Sequence, residues 1–121
     1  MRRILTVDDS ASIRQAIKIA LSNEGHVVAE AGNGAEGLTK ADGGDFALII
    51  TDLNMPVMDG LTMIRQLRAK AAHQGVPILF LTTESDAEIK AQAKAAGATG
   101  WVTKPFDPEQ LARIVKKVLA A

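Results

Sequence analysis

Five short apolar runs, spaced along the chain by segments of helical periodicity, constrain this sequence more than any other feature. The runs are Ile4–Val7, Val27–Ala29, Phe46–Ile50, Ile78–Leu81 and Trp101–Thr103. Each has the length and the β-branched or aromatic content of a strand. Ile4–Val7, Phe46–Ile50 and Ile78–Leu81 lack strict polar alternation, which predicts strands covered on both faces. Between the runs, Ile13, Ala16, Ile17, Ala20 and Leu21 repeat at helical spacing, as do Leu111, Ile114, Val115, Val118 and Leu119 near the end. Leu61, Ile64 and Leu67 make a third, weaker stripe, and the segments 34–42 and 86–96 are shorter and alanine-rich.

Start and stop signals agree with this alternation. Ser85-Asp86-Ala87-Glu88 has capping-box spacing, and Asp107 followed by Pro108 places a cap before a proline at the first helical position. Gly25 and Gly97 stand where helices should end. The chain therefore reads as five strand–helix units, (βα)5. That pattern implies an α/β fold with a doubly wound parallel sheet, helices on both faces and right-handed crossovers.

At 121 residues the chain fits one domain, residues 1–121, that buries roughly two-thirds of its unfolded surface. With no cysteine, it can build neither disulfides nor sulfur-ligated zinc sites, and His26 and His73 stand alone. Fourteen basic and fourteen acidic side chains balance, which argues against a nucleic-acid binder. The balance hides an asymmetry: residues 1–60 hold nine acidic and five basic groups, and residues 61–121 hold five and nine. No run approaches a membrane span and Asp8 comes too early for a signal peptide, so a soluble cytoplasmic protein is expected.

In a sheet of this kind ligands bind beyond the carboxyl ends of the strands. Asp8 and Asp9 follow the first strand; Asp52 and Asn54 follow the third. Thr82 and Thr83 follow the fourth, and Lys104-Pro105 the fifth. Taken singly, each has an ordinary reading: Asp9 or Ser10 as a helix cap, Asp52-Leu53-Asn54 as a turn, Thr82 as a loop hydroxyl, Lys104 as a solvated cation. Their coincidence on one rim points instead to a site. Crowded carboxylates call for a proton or a cation among them, and an all-oxygen donor set suits Mg²⁺. A carboxylate beside a divalent cation, an ammonium and a hydroxyl is equipped to form an aspartyl phosphate. Gly32-Asn33-Gly34-Ala35-Glu36-Gly37 matches a dinucleotide-binding fingerprint but follows the second strand and lacks the acidic partner downstream, so it reads as a turn into a helix.

Asp8-Asp9-Ser10, Asp52-Leu53-Asn54-Met55-Pro56 with Asp59-Gly60, Thr82, and Lys104-Pro105-Phe106 together resemble the receiver domain of bacterial two-component response regulators. The resemblance covers essentially the whole chain and is greatest to the single-domain chemotaxis regulators. It implies a flavodoxin-like fold with strand order 2-1-3-4-5 and a signalling switch, with intrinsic autophosphorylation and autodephosphorylation chemistry, rather than an enzyme. It implies Asp52 as phosphoacceptor, with Asp9, Asp52 and the Asn54 backbone carbonyl as Mg²⁺ ligands. Asp8 would act through a bound water or in the second shell. Thr82 and Lys104 would contact the phosphoryl group, Lys104-Pro105 would be cis, and Asn54 and Glu84 would tune the phosphate lifetime. Trp101 stands where the family places an aromatic switch, and Thr83 is bulkier than the glycine or alanine usual after the switch hydroxyl. The helix at 86–96, the strand of Trp101 and the last helix would form the output surface.

A sensor histidine kinase of the chemotaxis type is then the expected donor. A flagellar motor switch protein or another target would be the receiver, with the chain acting as a monomer away from membranes and nucleic acid. A phosphate sink or relay intermediate would share every site residue. A Mg²⁺-dependent phosphatase of the haloacid dehalogenase type is the remote alternative, but Asn54 stands where such enzymes place a general acid. A flavin module on the same fold would need an anion loop where Asp8 and Asp9 stand.

Overall fold

The computed structural model describes residues 2–83 and 87–120. Among these, β1 (Arg3–Val7), β2 (Val27–Ala31), β3 (Leu48–Asp52), β4 (Ile78–Thr82) and β5 (Gly100–Thr103) alternate with α1 (Ala11–Ser22), α2 (Gly34–Gly43), α3 (Gly60–Arg68), α4 (Ala87–Ala96) and α5 (Pro108–Ala120). All strand pairs are parallel, in the order β2-β1-β3-β4-β5, which is the flavodoxin-like order the resemblance implied.

Alternation along the strands divides the core into two layers. Leu5, Val7, Ile49, Ile78 and Phe80 face Leu38 of α2, Met63, Ile64 and Leu67 of α3, and Ala93 and Ala96 of α4. Ile4, Leu48, Ile50, Leu79, Leu81 and Val102 face Ile17, Ala20 and Leu21 of α1 and Leu111 and Val115 of α5. The uninterrupted apolar runs of β1, β3 and β4 are thus explained, since both faces of each strand are covered.

Several strand ends differ from the apolar runs, with β2 running on to Ala31 and β5 starting at Gly100. The apolar run Phe46–Ile50 predicts a strand two residues earlier than the observed Leu48–Asp52. Phe46 is buried, but with the Arg3 guanidinium over its ring it lies ahead of the strand. At the other end the ladder continues through polar residues, with Thr51 opposite Val7 and Asp52 opposite Leu81. Thr82 likewise closes β4 rather than following it. A 3-10 turn at Ala71–His73, which no periodicity announced, joins α3 to β4.

The helix ends obey local chemistry. Ser10 caps α1, Asn33 caps α2 and Asp59 caps α3, each through a side-chain oxygen that accepts a first-turn N–H. The Asp107 carboxylate accepts from Glu109 N at 2.8 Å at the start of α5. Gly25 and Gly97 follow α1 and α4 with positive φ, the left-handed stop expected of them. The proposed cap at Ser85-Asp86 lies outside the described residues.

Candidate functional site

At the carboxyl edge of the sheet, β1 and β3 are neighbours whose following helices pack on opposite faces, so a crevice opens between them. Register sets the contents of this crevice. Val7 pairs with Thr51, so the next residues along, Asp8 and Asp52, arrive side by side. One carboxylate oxygen from each of Asp8, Asp9 and Asp52 lies within 4.8 Å of the others. The three differ in exposure: Asp8 is buried, Asp52 is partly buried and Asp9 is exposed.

Lys104 enters from the end of β5. Its Nζ lies 3.3 Å from Asp8 Oδ2 and 3.3 Å from Asp52 Oδ2, with 16% of the side chain exposed. The Lys104–Pro105 peptide bond is cis, as expected, and Lys104 N donates to Thr82 O at 2.9 Å. The last residue of β4 and the lysine are thereby joined through the backbone.

The Asp52 carboxylate is held at both ends. Oδ1 accepts from Leu53 N at 2.8 Å and Oδ2 faces Lys104. Close packing behind it depends on Gly60. A Cβ built there would stand 2.1 Å from Asp52 O, so any side chain would push the backbone of Asp52 out of place. Gly60 N donates to Leu53 O at 3.0 Å, which fixes that approach.

Asp8 carries the electrostatic tension of the site. Burial pushes its carboxyl above the usual carboxylate range, and the neighbouring charge of Asp52 pushes the same way. The Ser10 N–H, 2.9 Å from Asp8 Oδ1, and the Lys104 ammonium pull it back without cancelling the rise. A buried, desolvated carboxylate beside two more, with one ammonium to share, is a donor set still short of positive charge. Oxygen atoms alone are offered, so a hard divalent cation fits. Receiver domains bind Mg²⁺ at such an acidic pocket, and these residues fit that ion.

A cavity of about 210 Å³ opens beside Asp52, lined among others by Asn54, Asp59, Thr82, Thr83 and Lys104. Thr82 is 5% exposed, and Thr83, the bulkier residue noted above, stands exposed at the lining. The structure thus brings Asp8, Asp9, Asp52, Asn54, Thr82 and Lys104 to one crevice. Glu84 lies outside the described residues. Leu61, Leu81 and Ile89 also line the cavity; the sequence places Leu61 and Leu81 on core-facing elements and gives no sign of Ile89. Ser10 serves twice, as the cap of α1 and as the N–H that holds Asp8.

Trp101 stands apart from the crevice, 44% exposed on β5. Its register partner is Phe80, whose ring centroid lies 6.2 Å away at a 36° tilt. Lys90 Nζ of α4 sits over the indole at 4.5 Å from the centroid, within cation–π range.

Comparison with known proteins agrees with this geometry. The family model for the response regulator receiver domain matches residues 4–116. A chemotaxis protein CheY homolog of Campylobacter jejuni is 38% identical over 121 residues, covering 97% of this chain and 92% of that protein. The structure of chemotaxis response regulator CheY4 of Vibrio cholerae superposes with a TM-score of 0.94 at 45% identity, over 98% of both chains. The transcriptional regulatory protein ResD of Bacillus subtilis is 37% identical over 117 residues, 97% of this chain, but the match spans only 48% of ResD, about half its length. With its fold, its acidic crevice and its relatives in agreement, the chain belongs to the response regulator receiver domain family.

Proposed function

We propose that this protein is a response regulator that accepts a phosphoryl group on Asp52 from a histidine kinase and so changes its affinity for a target, in chemotaxis. One observation carries the reading: a single ammonium, Lys104 Nζ, lies 3.3 Å from carboxylate oxygens of both Asp8 and Asp52 at the mouth of a cavity that also holds Thr82.

In the transfer, Asp52 Oδ2 attacks the phosphorus of a phosphohistidine. A P–O bond forms as the P–N bond breaks, and the leaving imidazole keeps the electron pair and takes up a proton. The reaction asks little covalent work of the protein beyond position and charge. Leu53 N–H holds the other oxygen of Asp52 and so aims the attacking one. Lys104 sits where it neutralises charge growing on the phosphoryl oxygens. Thr82 closes β4 beside the same space and supplies a hydroxyl to one of those oxygens. Mg²⁺, held by Asp9, Asp52 and the Asn54 carbonyl with Asp8 through water, would supply further positive charge at the phosphoryl group. Asn54 on the lining and Glu84 would set how long the aspartyl phosphate survives attack by water.

The protein itself turns over no substrate on this reading; it is a switch acting as a monomer in the cytoplasm. Among the described residues no helix is long and apolar enough to cross a membrane. The output surface comprises α4, the strand of Trp101 and α5. The high identity to CheY proteins supports a flagellar motor switch protein as target.

Acetyl phosphate with Mg²⁺ tests the reaction directly. Intact mass should rise by one phosphoryl group in the parent and not in Asp52→Asn. Equal labelling of that variant would remove Asp52 from its role. Lys104→Ala should still bind Mg²⁺ but bind the target equally with and without phosphate, and retained coupling would count against Lys104.

A further inference from the structure

Arg14 is the fourth residue of α1. Helical side chains lean back over the preceding turn, so Arg14 reaches toward the loop that ends β1. Its Nη1 donates to the backbone carbonyl of Asp8 at 2.6 Å, and its Nε donates to Glu30 Oε1 of β2 at 3.2 Å. The other Glu30 oxygen lies 3.8 Å from Lys18 Nζ. The Arg14 side chain is 20% exposed, well covered for a surface-helix arginine.

The bonded carbonyl matters because of what it belongs to. It is half of the peptide plane joining Asp8 to Asp9, the two carboxylates that β1 contributes to the acidic crevice. A peptide unit is rigid, so fixing its C=O fixes the direction in which the chain leaves Asp8 and enters Asp9. Asp8 N is tied to Ala31 O at 3.0 Å and Asp8 Oδ1 to Ser10 N at 2.9 Å. Arg14 supplies the third tether, and Glu30 holds Arg14 in place from β2 while offsetting its charge so close to a cation site.

We propose that Arg14, oriented by Glu30, is a positioning residue for Mg²⁺ binding: it sets the Asp8–Asp9 peptide plane and thereby the spacing of the two carboxylates. This rests on the reading of the crevice as a Mg²⁺ site. Residues that orient metal ligands typically contribute tenfold or more to affinity. Simple Coulomb repulsion makes the opposite prediction for the arginine, since deleting a cation beside a cation site should tighten binding. The sign of the change therefore separates positioning from charge.

The test is calorimetric titration of MgCl₂ into the full chain, without phosphate, for the parent and for Arg14→Ala, Arg14→Lys, Glu30→Gln and the double variant Arg14→Ala/Glu30→Gln. Arg14→Ala should bind Mg²⁺ about tenfold more weakly. Arg14→Lys should also weaken binding, because an ammonium cannot fork between the carbonyl and the carboxylate. Glu30→Gln should weaken it in the same direction, and the double variant should be no weaker than Arg14→Ala alone. Arg14→Ala affinity equal to or tighter than the parent's would overturn the proposal while leaving the Mg²⁺ site intact. A parent that binds no Mg²⁺ would overturn the site and the proposal together. Should Arg14→Ala not fold, Arg14→Lys decides, because it keeps the charge and loses the fork: weaker binding supports the positioning role and unchanged binding ends it.

Discussion

The helices α3 and α4 lie side by side on one face of the sheet and flank the same cavity, yet they are anchored very differently. α3 buries Met63, Ile64 and Leu67, each at 0% exposure, and is capped by Asp59, whose Oδ1 accepts from Thr62 N at 2.7 Å. α4, a residue longer, buries only Ala93 and Ala96, with Ile89 partly covered. Each large apolar side chain on α3 contributes about 1.5–3 kcal/mol by burial, and an alanine far less. The last turn of α3 also clasps the end of α4: Arg68 Nε donates to Gly97 O at 3.0 Å and Nη1 to His73 O at 2.6 Å. α3 is therefore the fixed floor beneath Asp52, whereas α4 buries only small side chains fully. With such small anchors α4 is the cheaper of the two helices to move.

Truncation of the two helices should break the symmetry most plainly. Leu67→Ala should cost about 3 kcal/mol in urea unfolding, within the usual range for a buried leucine. Ala93→Gly on α4 should cost about 1 kcal/mol, mostly helix propensity. Comparable losses would mean that α4 is anchored as firmly as α3.

Arg68→Ala sharpens the claim about where α4 is pinned. Loss of charged hydrogen bonds to the Gly97, His73 and Gln74 carbonyls should cost at least about 1.5 kcal/mol. Amide exchange should accelerate at the carboxyl end of α4 more than within α3; a uniform rise would contradict the clasp.

A smaller effect is expected where α4 meets β5. Lys90→Met keeps the aliphatic reach but removes the charge over Trp101, worth about 0.5 kcal/mol at so exposed a ring. Trp101 is the only tryptophan, so its emission and its quenching by acrylamide report the change without a label. Unchanged fluorescence would show that Lys90 does not hold the ring.

Charge at the crevice gives a pH-dependent counterpart. Because burial raises the Asp8 carboxyl above its unfolded value, the fold favours its protonated form. Stability of the metal-free protein should then fall as pH rises from the ordinary carboxylate range through the raised folded value. Asp8→Asn should melt higher than the parent at neutral pH and lose that advantage on acidification. A variant that melts lower at neutral pH would mean that the Ser10 and Lys104 contacts outweigh burial.

The layers and the cluster at the strand ends are legible in the sequence, because periodicity and turn residues carry them, whereas the strand order follows only from the family resemblance. Strand limits are less legible. Apolarity marks burial, and Phe46 is buried without joining the strand, while Thr51 and Asp52 stay in the ladder because β1 and β4 extend beside them. Arg14 was invisible for a related reason: a lone arginine in a helix reads as solvated, and only the fold brings Asp8 O and Glu30 to it. The clasp by Arg68 likewise depends on Gly97, far away in sequence.

On the proposed function, phosphorylation at Asp52 moves α4 and Trp101 while α3 stays fixed. Amide hydrogen exchange with Mg²⁺ alone and with Mg²⁺ plus beryllofluoride, a phosphoryl mimic, tests it most directly. Protection should change at the amino end of α4 and along β5, remain constant in α3, and not respond at all in Asp52→Asn. Equal changes in α3 and α4, or a response that survives Asp52→Asn, would contradict it.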